Sequence, residues 1–171
     1  MQTERVTALA VDGGDRKWMG TENGLWLFGP TGEELIYNFT RANSPLPSNR
    51  ILDVSIHDKT GEVFIATDEG LVSFRSDATA PGDFSSVKIY PNPVPPGFRG
   101  LVGIEGLTEN AFVKITDASG RLIYNTQANG GSASWNVLDL QGRRAATGVY
   151  LVFSTSFDGS ESYVGKVAVV E

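Results

Sequence analysis

The residues that could support catalysis are few and lie far apart in the sequence. His57 is the sole histidine, and it falls in a predicted hairpin turn, where a surface role is far commoner than catalysis or metal binding. The chain has no cysteine, which excludes disulfides and thiolate metal sites. It also has no Gly-x-Ser-x-Gly motif, phosphate loop or calcium-loop spacing. We therefore predict no catalytic residues and no enzymatic activity.

Five carboxylates form the other candidate site. They fall in corresponding turns of a segment that occurs twice in the first half of the chain: Asp12, Asp15, Glu22, Asp68 and Glu69. Carboxylate clusters can hold a divalent cation, but carboxylates in surface turns are usually solvated. We predict solvated turns, with no metal site and no cofactor.

The net charge of −6 belongs to the first half of the chain. Residues 1–86 hold 7 Lys/Arg against 13 Asp/Glu, whereas residues 87–171 hold 7 of each. This balance argues against nucleic acid as a partner, since its binding needs clustered basic residues. No apolar run approaches the roughly 20 residues of a membrane span. Met1–Arg5 leads directly into a patterned strand, so any signal peptide is expected upstream.

A repeat of 45 to 46 residues organises the first half. Val6–Val11 aligns with Ile51–Ile56 at an offset of 45, and Trp18–Phe28 aligns with Phe64–Phe74 at an offset of 46. Each unit predicts three strands joined by tight turns, and the first adds a fourth strand near Glu34–Phe39. A four-stranded antiparallel unit of this length is typical of a β-propeller blade.

This repeat resembles the two-component-regulator type of propeller repeat in three segments: Asn43–Asn49, Trp18–Thr21 and Gly70–Leu71. We predict two four-stranded blades over residues 1–75, although the second unit has no obvious fourth strand. Two blades cannot close a ring, so each open face leaves large apolar side chains in water at about 1.5–3 kcal/mol each. The chain is therefore interpreted as part of a longer propeller protein and is expected to self-associate.

The second half carries seven apolar runs separated by turn residues, after a polar segment at 76–86 that is predicted to be a linker. The runs lie near residues 87–90, 101–105, 111–116, 121–126, 133–137, 148–156 and 162–170. They predict a seven-stranded immunoglobulin-like β-sandwich over residues 87–171, which makes the whole chain all-β. The side chains expected in its disulfide-free core are Val113, Ile115, Trp135, Leu151 and Phe153.

The motifs of this half resemble, in order, those of type A C-terminal sorting domains of the type IX (Por) secretion system. The matching segments are Val87–Val94, Val113–Ile123, Ala133–Asn136, Gly142–Arg144, Gly148–Leu151 and Lys166–Val170. The resemblance implies that the sorting signal includes Pro91, Asn92, Pro93, Val94, Gly120, Gly148, Val149, Tyr150, Lys166, Val167 and Val169.

Some of these motif residues also have a local physical interpretation. Pro91 and Pro93 fix their φ angles and remove backbone donors, so they predict an extended segment that resists strand pairing. Gly148 is expected where a side chain would clash with a turn or bulge. Lys166–Val170 is expected to be either a paired final strand or an exposed edge that a partner extends.

The resemblance to sorting domains implies export to the outer-membrane surface, or the exterior, of a Gram-negative bacterium. It implies as partners the secretion translocon, sortase-type (PorU-like) surface proteins and lipopolysaccharide. In most members of the family a sortase removes the domain. A propeller joined directly to such a domain more closely resembles a surface component of the machinery that keeps it, with Ala78–Ser86 as a cleavage linker or a spacer.

Two other functions fit parts of the sequence. The same propeller repeats occur in extracytoplasmic sensors of hybrid two-component systems, which normally continue into a membrane helix and a kinase. The sandwich is alternatively a glycan-binding or adhesion module, for which the candidate platform aromatics are Phe84, Phe98, Phe157 and Tyr163. The ordered sorting motifs favour a non-enzymatic secretion protein over both.

Overall fold

The computed structural model of the chain describes residues 4–156 and 159–170. Every regular element in these residues is a β-strand, and the strands form four antiparallel sheets, which confirms the predicted all-β fold class. The chain divides into two compact units, Met1–Thr79 and Ala80–Glu171. The predicted boundaries at residues 75 and 87 stay predictions. Within the described part, no helix is long and apolar enough to cross a membrane.

The first unit contains two sheets, one for each repeat. Its strands are β1 Val6–Val11, β2 Lys17–Thr21, β3 Gly24–Phe28, β4 Leu35–Phe39, β5 Ile51–His57, β6 Glu62–Thr67 and β7 Gly70–Arg75. The sheet orders are β1-β2-β3-β4 and β5-β6-β7. The second blade thus has three strands rather than the four predicted. After Arg75 the Ser76 amide donates to the Gly61 carbonyl, and Arg16 donates to the Asp77 carboxylate. The chain therefore forms no fourth strand on the free edge of β7.

The two blades build the turn after their second strand in the same way. Thr21 accepts a hydrogen bond from the Asn23 amide at 3.1 Å and donates to the Gly24 carbonyl at 2.9 Å. Thr67 makes the equivalent bonds at 3.2 and 2.8 Å, the latter to Gly70. The two glycines have φ angles of 134° and 143°, a conformation that side chains with a Cβ rarely adopt. The Thr-x-x-Gly spacing therefore specifies this hairpin in both repeats.

The core of the first unit lies between the blades. Its buried side chains are Ala8, Trp18, Leu25, Leu27, Leu46, Ile51, Val54, Val63 and Ile65. Trp18 and Phe64 correspond in the repeat, yet Trp18 is fully buried and Phe64 is exposed. Successive side chains of a strand point to opposite faces of its sheet. The first blade contacts the second through one face, and the second contacts the first through the other face. A residue and its counterpart in the repeat therefore differ in burial. The outward faces expose Leu9, Val11 and Leu71 to solvent.

A buried polar network holds the turn between β1 and β2. The Asp12 carboxylate accepts hydrogen bonds from the guanidinium of Arg16 and the indole of Trp18, each at 2.9 Å. Arg16 also bonds Asp77 at 2.8 Å and Ser76 at 2.6 Å. Removing one partner of a buried ion pair typically costs about 3–5 kcal/mol. Asp12 is therefore a structural anion, and its prediction as a solvated turn carboxylate was wrong.

The second unit is a sandwich of two sheets. Its strands are β8 Lys88–Tyr90, β9 Val102–Glu105, β10 Phe112–Asp117, β11 Leu122–Gln127, β12 Ser132–Trp135, β13 Gly148–Thr155 and β14 Glu161–Val169. The sheet orders are β11-β10-β13-β14 and β12-β9-β8. Each of the seven predicted runs corresponds to one of these strands. Gly165 in β14 allows Ile89 of the facing sheet to approach, since a Cβ there would lie 2.8 Å from Ile89 Cδ1.

The sandwich core is confirmed for Val113, Ile115 and Trp135, which are fully buried. The prediction was wrong for Leu151 and Phe153, which are half-buried and lie on the opposite side of β13 from the core. Strand side chains alternate, and Tyr150 and Val152 occupy the inward positions. The Tyr150 ring lies 5.4 Å from that of Trp135, and its hydroxyl donates to the carbonyl of Ala146 at 2.7 Å.

Gly20 marks a close approach between the two blades and provides a test of their packing. A Cβ at this position would lie 2.6 Å from Ile51 Cγ2 and 3.2 Å from Ala8 Cβ. We expect Gly20→Ala to lower the free energy of unfolding of the first unit by about 1–3 kcal/mol, as overpacking of a core does. Urea denaturation followed by tryptophan fluorescence measures it. Gly29→Ala is the control, because its Cβ would meet no atom closer than 3.5 Å; equal stability of the two variants would contradict this packing.

Candidate functional site

Most of the predicted sorting residues meet at one end of the four-stranded sheet. Gly148 and Tyr150 of β13 pair with Val169 and Val167 of β14. Val94 forms an isolated parallel bridge to Val169 on the other side of β14. The structure therefore places three segments side by side: the start of β13, the final strand β14 and the segment that contains Val94. Gly120 lies elsewhere, in the hairpin between β10 and β11.

The Asn92 side chain acts as a substitute for a backbone peptide. Its Nδ2 donates to the carbonyl of Lys166 at 2.9 Å, and its Oδ1 accepts from the amide of Ala168 at 3.1 Å. Pro91 and Pro93 on either side of it have no amide hydrogen to donate. The side chain between them thus supplies the donor and acceptor that a neighbouring strand would otherwise offer.

Val94 continues this pairing with its own backbone. Its amide donates to the carbonyl of Ala168 at 2.7 Å, and its carbonyl accepts from the amide of Val170 at 3.0 Å. The Val94 side chain is fully buried in the sandwich core beside those of Val167 and Val169. We call Asn92, Val94 and Lys166–Val170 together the edge clamp.

The edge clamp decides between two alternatives for the final strand. Lys166–Val170 is paired on both sides, by β13 and by the segment that contains Asn92 and Val94, so this stretch is not an open edge. Pro91, Asn92 and Pro93 themselves form no strand, and the contact with β14 is made by the side chain of Asn92 and the backbone of Val94.

Gly148 does not have the steric role that was predicted for it. A Cβ on this residue would meet its nearest neighbours, Ala146 O and Tyr150 Cε2, at 3.9 Å, which is ordinary van der Waals contact. Its φ is not positive either. The structure therefore gives no reason why this position excludes a side chain. Val149, beside it, points outward and is exposed.

Gly120 belongs to a loop type that sequence reasoning did not identify. The Asp117 carboxylate accepts hydrogen bonds from the Ser119 hydroxyl at 2.6 Å and from the Arg121 amide at 3.1 Å, and it pairs with the Arg121 guanidinium. Gly120 completes the loop with a φ of 84°. The Ser119 hydroxyl is the main cause that holds the pKa of Asp117 below its ordinary value, and the bonds from Arg121 add to it.

The same loop occurs at Asp139–Arg143 and, in the first unit, at Asp12–Arg16. In each, the aspartate accepts from the backbone amides two and four residues later and from the arginine Nε, and the fourth residue has a positive φ. The Arg143 amide is the main cause that lowers the pKa of Asp139. The spacing Asp-x-x-x-Arg, visible three times in the sequence, could have identified these loops.

The other candidate groups do not assemble a reactive centre. No three metal-ligating side chains come together in the described residues. His57 Nδ1 lies 3.0 Å from the hydroxyl of Thr60 in its own turn. Of the candidate platform aromatics, Phe84 and Phe98 pack against the sandwich core. Phe157 lies outside the described residues, as does the side chain of Tyr163.

An apolar cleft of about 210 Å³ opens in the first unit between its two blades. Its walls include Trp18, Tyr37, Phe39 and Phe74, and the rings of Phe39 and Phe74 lie 5.6 Å apart. The segment Asn43–Leu46, which carries part of the propeller-repeat resemblance, forms another wall. The cleft therefore offers an apolar binding surface rather than acid or base groups.

Comparison with known families gives a match to the second unit. Residues 88–170 match the model of the secretion system C-terminal sorting domain. Among curated proteins, none matches this sequence.

Comparison with solved structures relates both units to one protein. PorZ, an essential surface component of the type IX secretion system of Porphyromonas gingivalis, is similar over 98% of this chain, with 34% identity and a TM-score of 0.65. This chain spans 23% of the PorZ chain. Latent PorU from the same bacterium is 23% identical over 64% of this chain and 12% of its own, with a TM-score of 0.39. The extracellular domain of BT4673 from B. thetaiotaomicron is 14% identical over 99% of this chain and 26% of its own, with a TM-score of 0.36.

The edge clamp leads to a prediction for Asn92→Ala. Losing two hydrogen bonds to β14 is expected to lower the free energy of unfolding of the sandwich by about 1–2 kcal/mol. The amide of Ala168 loses its acceptor, so its hydrogen exchange should become faster, which NMR measures directly. Asn125→Ala, an exposed asparagine on the opposite edge strand, is the control. Unchanged exchange at Ala168 would rule out the clamp.

The Asp117 loop leads to a prediction about acid stability. A carboxyl whose pKa is lowered by folding contributes stability that is complete above its unfolded pKa of about 3.9 and is lost as the pH falls through its folded pKa. Ser119→Ala should raise the pKa of Asp117 towards its ordinary value, so the stability contribution of this carboxyl should become smaller and its loss should be complete at a higher pH. A carboxyl NMR titration measures both groups. Asp139 is the internal control, and a pKa of Asp117 that does not move would refute the assigned cause.

Proposed function

We propose, because residues 88–170 are a secretion system C-terminal sorting domain, that the sandwich is the part of this protein that the type IX secretion machinery recognises. The likeness to PorZ supports this proposal, since it extends over both units. The protein then works by binding rather than by catalysis. It is exported to the outer-membrane surface of a Gram-negative bacterium, or beyond it.

The observation that carries the proposal is the assembly of the sorting motifs at one place. Asn92 bonds Lys166 and Ala168, which lie 74 and 76 positions away in the sequence. A domain that is recognised in its folded form must hold the recognised residues close together in space. The residues of the edge clamp are held together in this way. We therefore propose that the recognised feature is the folded end of the sheet rather than the last residues as a linear peptide.

We further propose that the protein is a PorZ-like component of the secretion and attachment machinery, with the propeller as its binding scaffold. The apolar cleft between the blades is the surface of the first unit that suits this role. The proposed partners are the translocon and sortase-type surface proteins, with lipopolysaccharide as a further ligand. Self-association through the open blade faces is proposed for the isolated chain, because Leu9, Val11 and Leu71 are exposed there.

The two alternative functions receive no specific support. An adhesion platform would need exposed aromatic rings, whereas Phe84 and Phe98 are partly buried against the core. The sensor alternative stays a prediction from the propeller repeat.

Deletion of Lys166–Glu171 in the native host tests the sorting role. The deletion removes one half of the edge clamp and the buried side chains of Val167 and Val169. We expect labelling of intact cells with an antibody to fall to background while the total amount of protein in the cell stays detectable. Undisturbed surface display of the shortened protein would remove the basis of the proposal.

The mass of the mature protein tests the likeness to a retained component. Mass spectrometry should find peptides of the sandwich, residues 88–170, in the surface protein, as expected for a machinery component that keeps this domain. A C-terminus within residues 76–86 would instead identify a cargo protein from which the domain has been removed.

A further inference from the structure

The segment 76–86 joins the last strand of the first unit to the first strand of the sandwich, and its composition predicts a linker. Most of its residues are small or polar, and Pro81 and Gly82 lie near its middle. Proteases cut preferentially where the chain is exposed and weakly bonded. Whether this segment is open to them therefore depends on the burial and hydrogen bonding of its backbone.

Residues 76–79 are held by the first unit. The Ser76 amide donates to the Gly61 carbonyl at 2.8 Å, and the Ser76 hydroxyl accepts from the Arg16 guanidinium at 2.6 Å. Ser76 and Ala78 are both buried. The Ala78 carbonyl oxygen lies so close to Gly61 that a Cβ on the glycine would be 2.6 Å from it. This part of the segment is therefore packed into the structure of the first unit.

Residues 80–86 are held by the sandwich, and we call them the strap. The Gly82 amide donates to the Leu107 carbonyl at 2.6 Å, and the Phe84 amide donates to the Gly106 carbonyl at 3.2 Å. Both carbonyls belong to residues that directly follow β9, the strand with which β8 pairs. The Phe84 ring packs against the sandwich core. The strap is therefore fastened to the sandwich by its backbone and by one apolar side chain.

Two glycines of the sandwich allow the strap to lie directly against it. A Cβ on Gly131 would lie 2.2 Å from the Ala80 carbonyl oxygen and 2.9 Å from Pro81 Cα. A Cβ on Gly106, whose φ is 86°, would lie 2.8 Å from the Ser86 carbonyl oxygen. The obstructing atoms belong to the backbone, so they cannot rotate away as the end of a side chain can. The strap and the sandwich thus meet backbone to backbone.

The small residues of the strap serve the same close approach. A Cβ on Gly82 would lie 2.6 Å from the Gly106 carbonyl oxygen. Glycine is common in flexible linkers because its backbone is free, and it is also common where one backbone approaches another closely. The composition that predicts a linker is therefore equally suited to a segment that is packed against a domain.

We propose that the strap protects the chain between the two units from proteolysis and so keeps the sandwich attached. A protease must take several consecutive residues into its active site in extended form, so it can cut here only after the strap has opened. The rate of cleavage then follows the fraction of molecules in which the hydrogen bonds of Gly82 and Phe84 are broken. Of the two roles expected for Ala78–Ser86, a protected strap favours the spacer over the cleavage linker.

This inference goes beyond the proposed function, because it concerns how the chain withstands processing and applies to a sandwich of any role. The test is limited proteolysis of the purified full chain with proteinase K, a protease of broad specificity, with the cut sites identified by mass spectrometry. Gly131→Ala obstructs the strap from the side of the sandwich, and Gly82→Ala obstructs it from its own side. Each variant should be cut within residues 80–86 about tenfold faster than wild type or more, because the open fraction rises.

The control is Gly29→Ala, whose Cβ would meet no atom closer than 3.5 Å and which should leave this rate unchanged. A cooperative thermal transition shows that a variant is folded. If Gly131→Ala is not, Gly82→Ala decides, since Gly82 is exposed and lies outside the core. Equal rates of cleavage within residues 80–86 in wild type and the folded variants, whether fast or slow, would overturn the proposal.

The outcomes separate this inference from the proposed function. Proteolysis of the purified chain measures the strap, whereas surface display of the protein without Lys166–Glu171 measures the sorting role. A protected strap together with undisturbed display of the deletion would overturn the sorting role alone. A wild-type strap that is cut as fast as that of the variants, together with loss of display of the deletion, would overturn the strap alone.

Discussion

The sandwich depends on a side-chain amide that takes the place of a main-chain peptide. A final strand must have its outer edge covered or leave a row of unpaired backbone groups open to other chains. The sequence meets this need with Asn92, whose amide bonds Lys166 and Ala168, and with Val94, which follows it. Because Pro91 and Pro93 cannot donate, the pairing ends after these few bonds and does not extend into a full strand. The residues that close this edge of the fold are thus among those that the sequence predicted for the sorting signal.

The alternation of side chains along a strand explains the burial pattern of both units. In the first unit, it makes Trp18 buried and Phe64 exposed although the repeat aligns them. In the sandwich, it sends Tyr150 and Val152 to the core and their neighbours Leu151 and Phe153 outward. The apolar character of a strand residue therefore does not by itself show that the residue is buried in the core. Which of two adjacent residues is buried depends on what lies against each face of the sheet.

The strands could be predicted from the sequence because turn residues and apolar runs act locally. All seven strands of the sandwich and the Thr-x-x-Gly hairpins of the blades follow from such local patterns. The side of β13 that faces the core could not be predicted, because its apolar run Gly148–Phe153 has no polar alternation to orient it. The edge clamp was missed for a different reason: it joins residues more than seventy positions apart. Its local signal, an asparagine between two prolines, indicates rigidity but does not reveal its partner.

The face-to-back stacking of the two blades has a consequence for how such chains change in length over evolution. Each repeat carries both of the surfaces through which neighbouring blades pack, one on each face of its sheet. A duplicated second unit placed between two others would present a face to each neighbour, but Ala66, which corresponds to Gly20, would have to become glycine to allow the same close approach. We therefore expect whole blades to be gained or lost at the loop Arg41–Arg50, which joins β4 of one unit to β5 of the next. The sandwich, with its own core and its own closed edge, would be carried along unchanged.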